Sequence, residues 1–322
     1  MRWGLLSTAN INRKLLGGAE GTDEATVAAV ASRDRSRAEA FAREHGIERA
    51  HPSYEALLED PDIDAIYNPL PNSMHVPWSV RALEAGKHVL CEKPMTRRAA
   101  EVEEAFAAAE RAGRTLEEAF MWRHHPQTRR LRELLDEGVI GRLRHVRASF
   151  SFPLRDNGDI RMQAGLDGGS LMDVGCYCVS GCRLVAGAKP ERVHAEHAIG
   201  GDDVDVALAG TLRFPDDVIG QFHCGFAIGG RHHLEAIGEE GSLFLADPWH
   251  GGTPGIELRR DDGTETIEVA PANPYTHELI DFARAARGDA APLLGAEDAL
   301  AQARVIQALY ASAATSTTKG LM

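Results

Sequence analysis

Two short apolar runs near the start of the chain each give way to an amphipathic stretch, Trp3 to Ser7 before Ile11 to Ala19 and Thr26 to Ser32 before Arg35 to Glu44. The same succession returns with Ala65 to Tyr67 before Met74 to Ala85, and with His88 to Cys91 before Arg97 to Ala112. Apolar strands that each lead into a helix are what a parallel sheet covered on both faces requires. The pattern therefore predicts a doubly wound α/β domain of the Rossmann type over residues 1–122. The punctuation agrees: Gly46 and Gly86 stand where helices should close, and Thr96 can cap the helix that begins near Arg97. Pro126 suits a first helical position, so a further helix is expected to run to Glu137.

From Arg142 the character changes. Arg142 to Phe152 is long and extended, and Val204–Phe214, Val218–Phe226, His232–Ile237, Leu243–Ala246, Ile256–Arg260 and Thr266–Val269 are β-branched or alternating. Turn residues such as Pro215-Asp216-Asp217 and Asp261-Asp262-Gly263 separate them, as in an antiparallel meander. Residues 123–322 are thus expected to form an α+β domain with an open-faced, mostly antiparallel sheet. Helices over Ser170–Val185, Tyr275–Arg287 and Ala296–Thr315 should cover one face, with Asn273-Pro274 starting the second of them. The uncovered face is a natural surface for a homodimer or homotetramer.

The length of 322 residues, 43% apolar and 26% charged, suits two globular domains with cores of their own. A formal charge of −13, from 35 basic and 48 acidic residues, argues against nucleic acid or an anionic membrane as partner. A small molecule is the expected ligand. The N-terminal apolar run is too short for a signal peptide and no stretch has the length of a membrane span, so the cytoplasm is the expected compartment. Cys91, Cys176, Cys178, Cys182 and Cys224 lack the paired spacing of a zinc site; they are expected in the core, and no metal is expected.

The turn after the first run, Ser7-Thr8-Ala9-Asn10-Ile11-Asn12, occupies the place of a glycine-rich phosphate loop but contains no glycine. Small residues at Ser7 and Ala9 still permit a pyrophosphate to approach the backbone and the amides that open the next helix. Equally, it can be a plain strand-to-helix turn. The second run ends in Ser32-Arg33-Asp34 where an NAD-binding chain would place an acidic residue for the ribose 2′-hydroxyl. Serine and arginine there suit a 2′-phosphate, which favours NADP, while Asp34 leaves NAD open as a second cofactor. The competing reading has Ser32 or Asp34 capping the next helix and Arg33 in solvent. Arg37 is counted with the cofactor contacts.

Lysine 93, in Cys91-Glu92-Lys93-Pro94, leaves the carboxyl end of an apolar run, the side on which open α/β sheets bind ligands. Further on, Asp173-Val174-Gly175-Cys176-Tyr177 places an acid and a tyrosine four residues apart, on one face if helical. Moving hydride to or from a carbon bearing oxygen requires a proton to leave or reach that oxygen. Tyr177 can shuttle it, and Lys93 can bind the same oxygen and lower the tyrosine pKa from about 10. Asp173 can orient Lys93 or a substrate hydroxyl. Taken singly, the three are equally a surface lysine, an ion-pair partner and a core aromatic.

In order and spacing, these segments resemble the Gfo/Idh/MocA oxidoreductases. The resemblance also takes in Asn68-Pro69-Leu70-Pro71-Asn72-Ser73-Met74-His75, Glu118-Ala119-Phe120-Met121-Trp122-Arg123 and Gly168-Gly169-Ser170-Leu171-Met172, so it spans nearly the whole chain. It is most similar to the branch of NADP-dependent dihydrodiol, D-xylose and other sugar dehydrogenases, which shares the serine-for-glycine loop and the tyrosine. The resemblance implies a Rossmann domain, a sugar, polyol or diol substrate, and Lys93 with Tyr177 as the catalytic pair assisted by Asp173. It also implies that Leu70, Asn72, His75 and Glu92 line the cofactor, with Trp122 and Arg123 near nicotinamide and substrate. His124, Arg161 and Tyr275 are candidate substrate contacts. Asp167, in Leu166-Asp167-Gly168-Gly169, departs from the triple glycine of similar chains and puts xylose specificity in doubt. Two other expectations belong to the same family: a glycosidase working by transient redox on tightly held NAD, and a sensor that binds NADP without turnover.

Overall fold

A computed structural model describes residues 1–156 and 158–315. Residue 157 and the last seven residues of the expected second domain lie outside the described residues. By contact the chain divides into two units, Met1–His125 with Asn273–Leu300, and Pro126–Ala272 with the helical residues from Ala301 onward.

The first unit holds six parallel strands: β1 (Arg2–Leu6), β2 (Thr26–Ala31), β3 (Arg49–His51), β4 (Ala65–Asn68), β5 (His88–Glu92) and β6 (Leu116–Ala119). Their order is β3-β2-β1-β4-β5-β6, the doubly wound arrangement whose crevice lies where the order reverses. Leu5, Val30, Ile66, Val89 and Leu90 are wholly buried, each contributing about 1.5–3 kcal/mol through burial. Registers Leu6 to Ala31 and Leu5 to Tyr67 align the carboxyl ends of β1, β2 and β4. Asn68 pairs with Cys91, which brings the end of β5 to the same edge.

Two strands were not legible beforehand. β3 is three half-buried residues, Arg-Ala-His, with no apolar signal. β6 reads Leu-Glu-Glu-Ala and looks helical, yet all four residues are buried. Its carboxylates are tolerated because Leu294 N donates to Glu117 Oε1 at 3.0 Å and Met95 N donates to Glu118 Oε1 at 2.7 Å.

The second unit contains β7 (Leu143–Ser151), β8 (Arg192–Ile199), β9 (Asp205–Arg213), β10 (Ile219–Gly225), β11 (Arg231–Gly238), β12 (Ser242–Leu245), β13 (Gly255–Arg260) and β14 (Gly263–Glu268). The order β14-β13-β12-β11-β7-β10-β9-β8 corrects the meander: β7 comes first in sequence but lies at the centre, parallel to β10 and antiparallel to β11. Its Val146, Ala148, Ser149 and Ser151 are all buried, which an edge position would not allow. Strand β8, exposed along most of its length, was not anticipated. Helix Cys176–Ala186 packs on β7, with Cys176, Cys178 and Cys182 in the core as expected.

A second correction concerns helix Pro274–Arg287, expected on the second sheet. It belongs to the first unit, where Leu279 and Phe282 join the core around Trp3 and Leu15, with Phe282 5.0 Å from the Trp3 ring. The residue at position 18 must be glycine for this packing, because a Cβ there would lie 2.6 Å from Tyr275 Cβ. Asn273 caps the helix through Tyr275 N and Pro274 opens it. Among the described residues no helix is long and apolar enough to cross a membrane.

Candidate active site

The turn without glycine nevertheless makes a glycine-like bend. Ser7 takes φ +94°, a region that side chains other than glycine rarely occupy. Several bonds hold it there: Ser7 N donates to Ala31 O at 3.0 Å and Asn12 Nδ2 donates to Ser7 O at 2.8 Å. Ser7 Oγ accepts from Ala9 N at 3.3 Å. Thr8, Ala9, Asn10 and Ile11 then lead into helix Asn12–Ala19, which no side chain caps. A pyrophosphate therefore fits the small residues and the amides at the helix start.

At the end of β2, Asp34 is committed to its own helix. Its Oδ1 accepts from Ser36 N at 2.8 Å and Arg37 N at 3.3 Å, and the bond from the Ser36 hydroxyl, with these, holds the carboxyl below its usual range. Capping thus engages Oδ1 of Asp34, on an exposed carboxylate. Ser32 is buried and its Oγ accepts from Asp34 N at 3.2 Å. Burial raises the Tyr54 hydroxyl pKa, and the guanidiniums of Arg33, hydrogen-bonded to it, and Arg37 oppose that rise. Two cations and a serine thus stand together where a 2′-phosphate would lie.

Lys93 directly follows β5 and is joined to Pro94 by a cis peptide. Glu92 bonds both sides of the turn, accepting from the Tyr67 hydroxyl and, at 3.2 Å, from Lys93 N. His75 lies behind the turn, wholly buried, with Nε2 2.7 Å from Leu70 O and Nδ1 2.9 Å from Pro94 O. Burial lowers its pKa to about 4, so the neutral ring donates to one carbonyl at a time. Asn68 anchors the same corner through His75 O at 2.9 Å and Ser79 Oγ at 3.1 Å, with Leu70 buried and Asn72 half-buried beside it. The side chains of His75 and Glu92, expected on the cofactor, are thus occupied with the turn that carries Lys93.

Behind Tyr67 is a group of buried acids that the sequence did not suggest. Glu278 is buried, its carboxyl raised well above the usual range by burial and then by Glu92, Glu117 and Asp281. Burial also pushes Glu117 up to about 7. His124 corrects an expectation: rather than facing substrate it is wholly buried, with Nδ1 2.8 Å from Asp281 Oδ2. Trp122 is buried as well, with the Arg123 guanidinium 5.7 Å from its ring and 3.8 Å from Asp298 Oδ1. Tyr275 sits against Gly18 in the first unit and adds to the rise of the Tyr67 pKa.

In the second unit the predicted residues Arg161, Asp173 and Tyr177 belong to one local structure. Arg161 Nε donates to Asp173 Oδ2 at 2.9 Å, while its Nη1 reaches Asp159 Oδ2 at 3.1 Å. Asp173 lies within a π-helical turn, Leu171–Gly175, that runs directly into helix Cys176–Ala186; such turns recur at functional sites. Tyr177 is 8% exposed, with its ring 5.2 Å from Phe150 and 5.9 Å from Trp249.

The start of this segment depends on Asp205, missed in the sequence, and on Gly169 of the quoted glycine motif. Asp205 is buried and accepts from Ser170 Oγ at 2.6 Å, Leu171 N at 2.7 Å and Tyr310 Oη at 2.7 Å. Gly169, at φ +120°, passes so close that a Cβ would lie 2.2 Å from Asp205 Oδ1. Asp167 is in the left-handed region at φ 55°, which aspartate adopts more readily than most residues.

Comparison with known proteins supplies the remaining context. Residues 1–120 match an oxidoreductase family with an NAD-binding Rossmann fold, and residues 128–244 match the GFO/IDH/MocA C-terminal domain. The chain is 40% identical to an NADP(+)-dependent D-xylose 1-dehydrogenase of Haloferax volcanii, covering 98% of both chains. It is 37% identical to a mouse trans-1,2-dihydrobenzene-1,2-diol dehydrogenase, covering 77% of this chain and 75% of the other. Among solved structures, a 3-ketoreductase from Actinomadura kijaniata in complex with NADP and TDP-benzene superposes with a TM-score of 0.91 at 36% identity, covering 97% of each chain.

Proposed function

Because the chain belongs to the Gfo/Idh/MocA oxidoreductase family, we propose that it is an NADP-dependent dehydrogenase or reductase of a sugar, polyol or diol. The observation that carries this reading is that Lys93 leaves the sheet at the same edge as the Ser7–Ile11 turn and the Ser32–Arg33 pair. When bound, the nicotinamide supplies or accepts the hydride. What remains for the protein is to hold one oxygen of the substrate and move its proton.

In this reading Tyr177 takes the proton of the reacting hydroxyl in oxidation and returns it in reduction. Lys93, as an ammonium, binds the same oxygen and stabilises the tyrosinate. Asp173, held by Arg161, orients Lys93 or a neighbouring hydroxyl. Arg161 is then the residue that fixes Asp173 as well as a candidate donor to substrate. The relatives bear names of different substrate class, a xylose dehydrogenase, a dihydrodiol dehydrogenase and a 3-ketoreductase, so the substrate is chosen by the particular pocket rather than by the fold. A cytoplasmic location and a homo-oligomer joined through the open face of the second sheet complete the proposal; the five free, buried cysteines suit a reducing compartment.

The test is the initial rate of NADP reduction, and of NADPH oxidation, across aldoses, inositols, vicinal diols and their keto forms, with NAD in parallel. An NADP-dependent rate with one class supports the reading. Silence across the panel with cofactor retained on the protein overturns it in favour of transient-redox hydrolysis or sensing. For the cofactor, Arg33→Ala is expected to weaken NADP by about 10- to 100-fold, the loss of a charge-assisted bond, and to leave NAD unchanged. Isothermal titration with both nucleotides checks it, and equal losses would remove the 2′-phosphate assignment.

A further inference from the structure

Away from the residues assigned to hydride chemistry, the second unit gathers two histidines and a carboxylate. The pairing of β11 with β7 sets His232 opposite Phe150, while Asp247 and His250 lie in the turn that follows β12. One ring nitrogen of each histidine and one oxygen of Asp247 fall within 4.8 Å of one another. With Gly230, Arg231 and Ala246 they line a cavity of about 530 Å³. We propose that His232, Asp247 and His250 form a binding site for a divalent transition-metal ion of the zinc type, with a fourth position open to solvent or ligand.

The donor set is the first support. Two imidazoles and a carboxylate suit zinc, with bonds of about 2.0–2.2 Å and three protein ligands in an open site. Ligand atoms on such an ion stand roughly 3.3 Å apart, so the observed group closes through small side-chain rotations. Asp247 is already fixed: Gly252 N donates to Oδ2 at 2.8 Å and His250 N donates to Oδ1 at 3.3 Å. A carboxylate retains lone pairs beyond these two bonds. His232 Nδ1 is buried and has no hydrogen-bond partner. Arg231 opposes a cation in the same cavity, although its Nη1 is drawn to Gly230 O at 2.8 Å.

An ion here would tie β11 to the turn carrying Trp249. Trp249 donates to Ser149 O at 2.8 Å and packs against Tyr177, and Phe150 touches His232, His250 and Tyr177 in turn. Occupancy would thus stiffen the surroundings of Tyr177. The expectation of no metal rested on cysteine spacing, whereas these ligands meet only through strand pairing and form no linear motif.

The experiment is titration of the untagged, chelator-treated full-length chain with Zn²⁺ by calorimetry, and with Co²⁺ by visible absorption. One saturable site per chain is expected, with the visible bands of low-symmetry Co²⁺. His232→Ala and His250→Gln should each weaken binding by about 10-fold or more, as loss of one ligand implies. His250 is exposed, so its variant keeps the fold, which circular dichroism verifies. Absence of saturable uptake, undiminished uptake by the folded His250 variant, or sulfur-to-cobalt charge-transfer bands from the buried cysteines would overturn the assignment.

Discussion

Replacing Lys93 by alanine is expected to lower kcat by about 10³-fold, within the range of a lost acid–base contribution, and to leave NADP affinity nearly unchanged. The reasoning starts from Tyr177. A tyrosine of reference pKa about 10 is ionised in roughly one molecule in a thousand at neutral pH, and the ammonium of Lys93 is the group assigned to raise that fraction. Without it the pH–rate profile of oxidation should shift upward, with partial recovery as pH approaches the free tyrosine value. Lys93 is half-buried and its amide bond to Glu92 survives truncation, so the fold should persist. Steady-state kinetics from pH 6 to 10, with calorimetric NADP titration, decide the matter. Unchanged kcat, or a loss explained by unfolding or by failure to bind NADP, would contradict the assigned role.

Much of the fold could be read because β1, β2, β4 and β5 of the first domain are largely apolar and each is followed by an amphipathic helix. What escaped had no such signal. β3 is too short and polar, and β6 buries glutamates whose partners come from distant main-chain amides. The helix Pro274–Arg287 showed a clear amphipathic pattern, but its pattern does not say which core it joins; the contact of Tyr275 with Gly18 does. Lys93, Asp173 and Tyr177, the residues proposed for the chemistry, could be singled out because they sit in contiguous motifs. His124 was expected on substrate because polarity in sequence suggests exposure, whereas the ring is buried with its Nδ1 against Asp281. Asp34 also illustrates the limit: its identity permitted a ribose ligand or a helix cap, and only the two amide bonds show that it caps the helix. Asp205 carried no signal at all, because it meets Ser170 and Leu171 only through a tertiary contact with a segment 35 residues away.

That last residue yields the largest expected effect on stability. Asp205→Ala would leave the Ser170 hydroxyl, the Leu171 amide and the Tyr310 hydroxyl without their buried acceptor. Each unsatisfied donor costs about 1–3 kcal/mol, and relaxation and water entry reduce the sum, so a loss of roughly 3–5 kcal/mol is expected. The midpoint of thermal unfolding should fall by roughly 10 °C. Burial raises the Asp205 pKa while these donors oppose the rise, so the carboxylate's charge is not what the site needs most; its two acceptor oxygens are. Asp205→Asn keeps one acceptor for Ser170 and Leu171 and can donate to the Tyr310 oxygen, and should cost only about 1 kcal/mol. The functional consequence follows from position, since Ser170 and Leu171 open the π-helical turn that carries Asp173 and leads to Tyr177. The alanine variant, assayed well below its midpoint, should therefore lose kcat as well as stability, and asparagine should restore both. If alanine and asparagine proved equally stable, the acceptor role would fail; if alanine lost stability but kept full kcat, Asp205 would hold the fold without positioning the site.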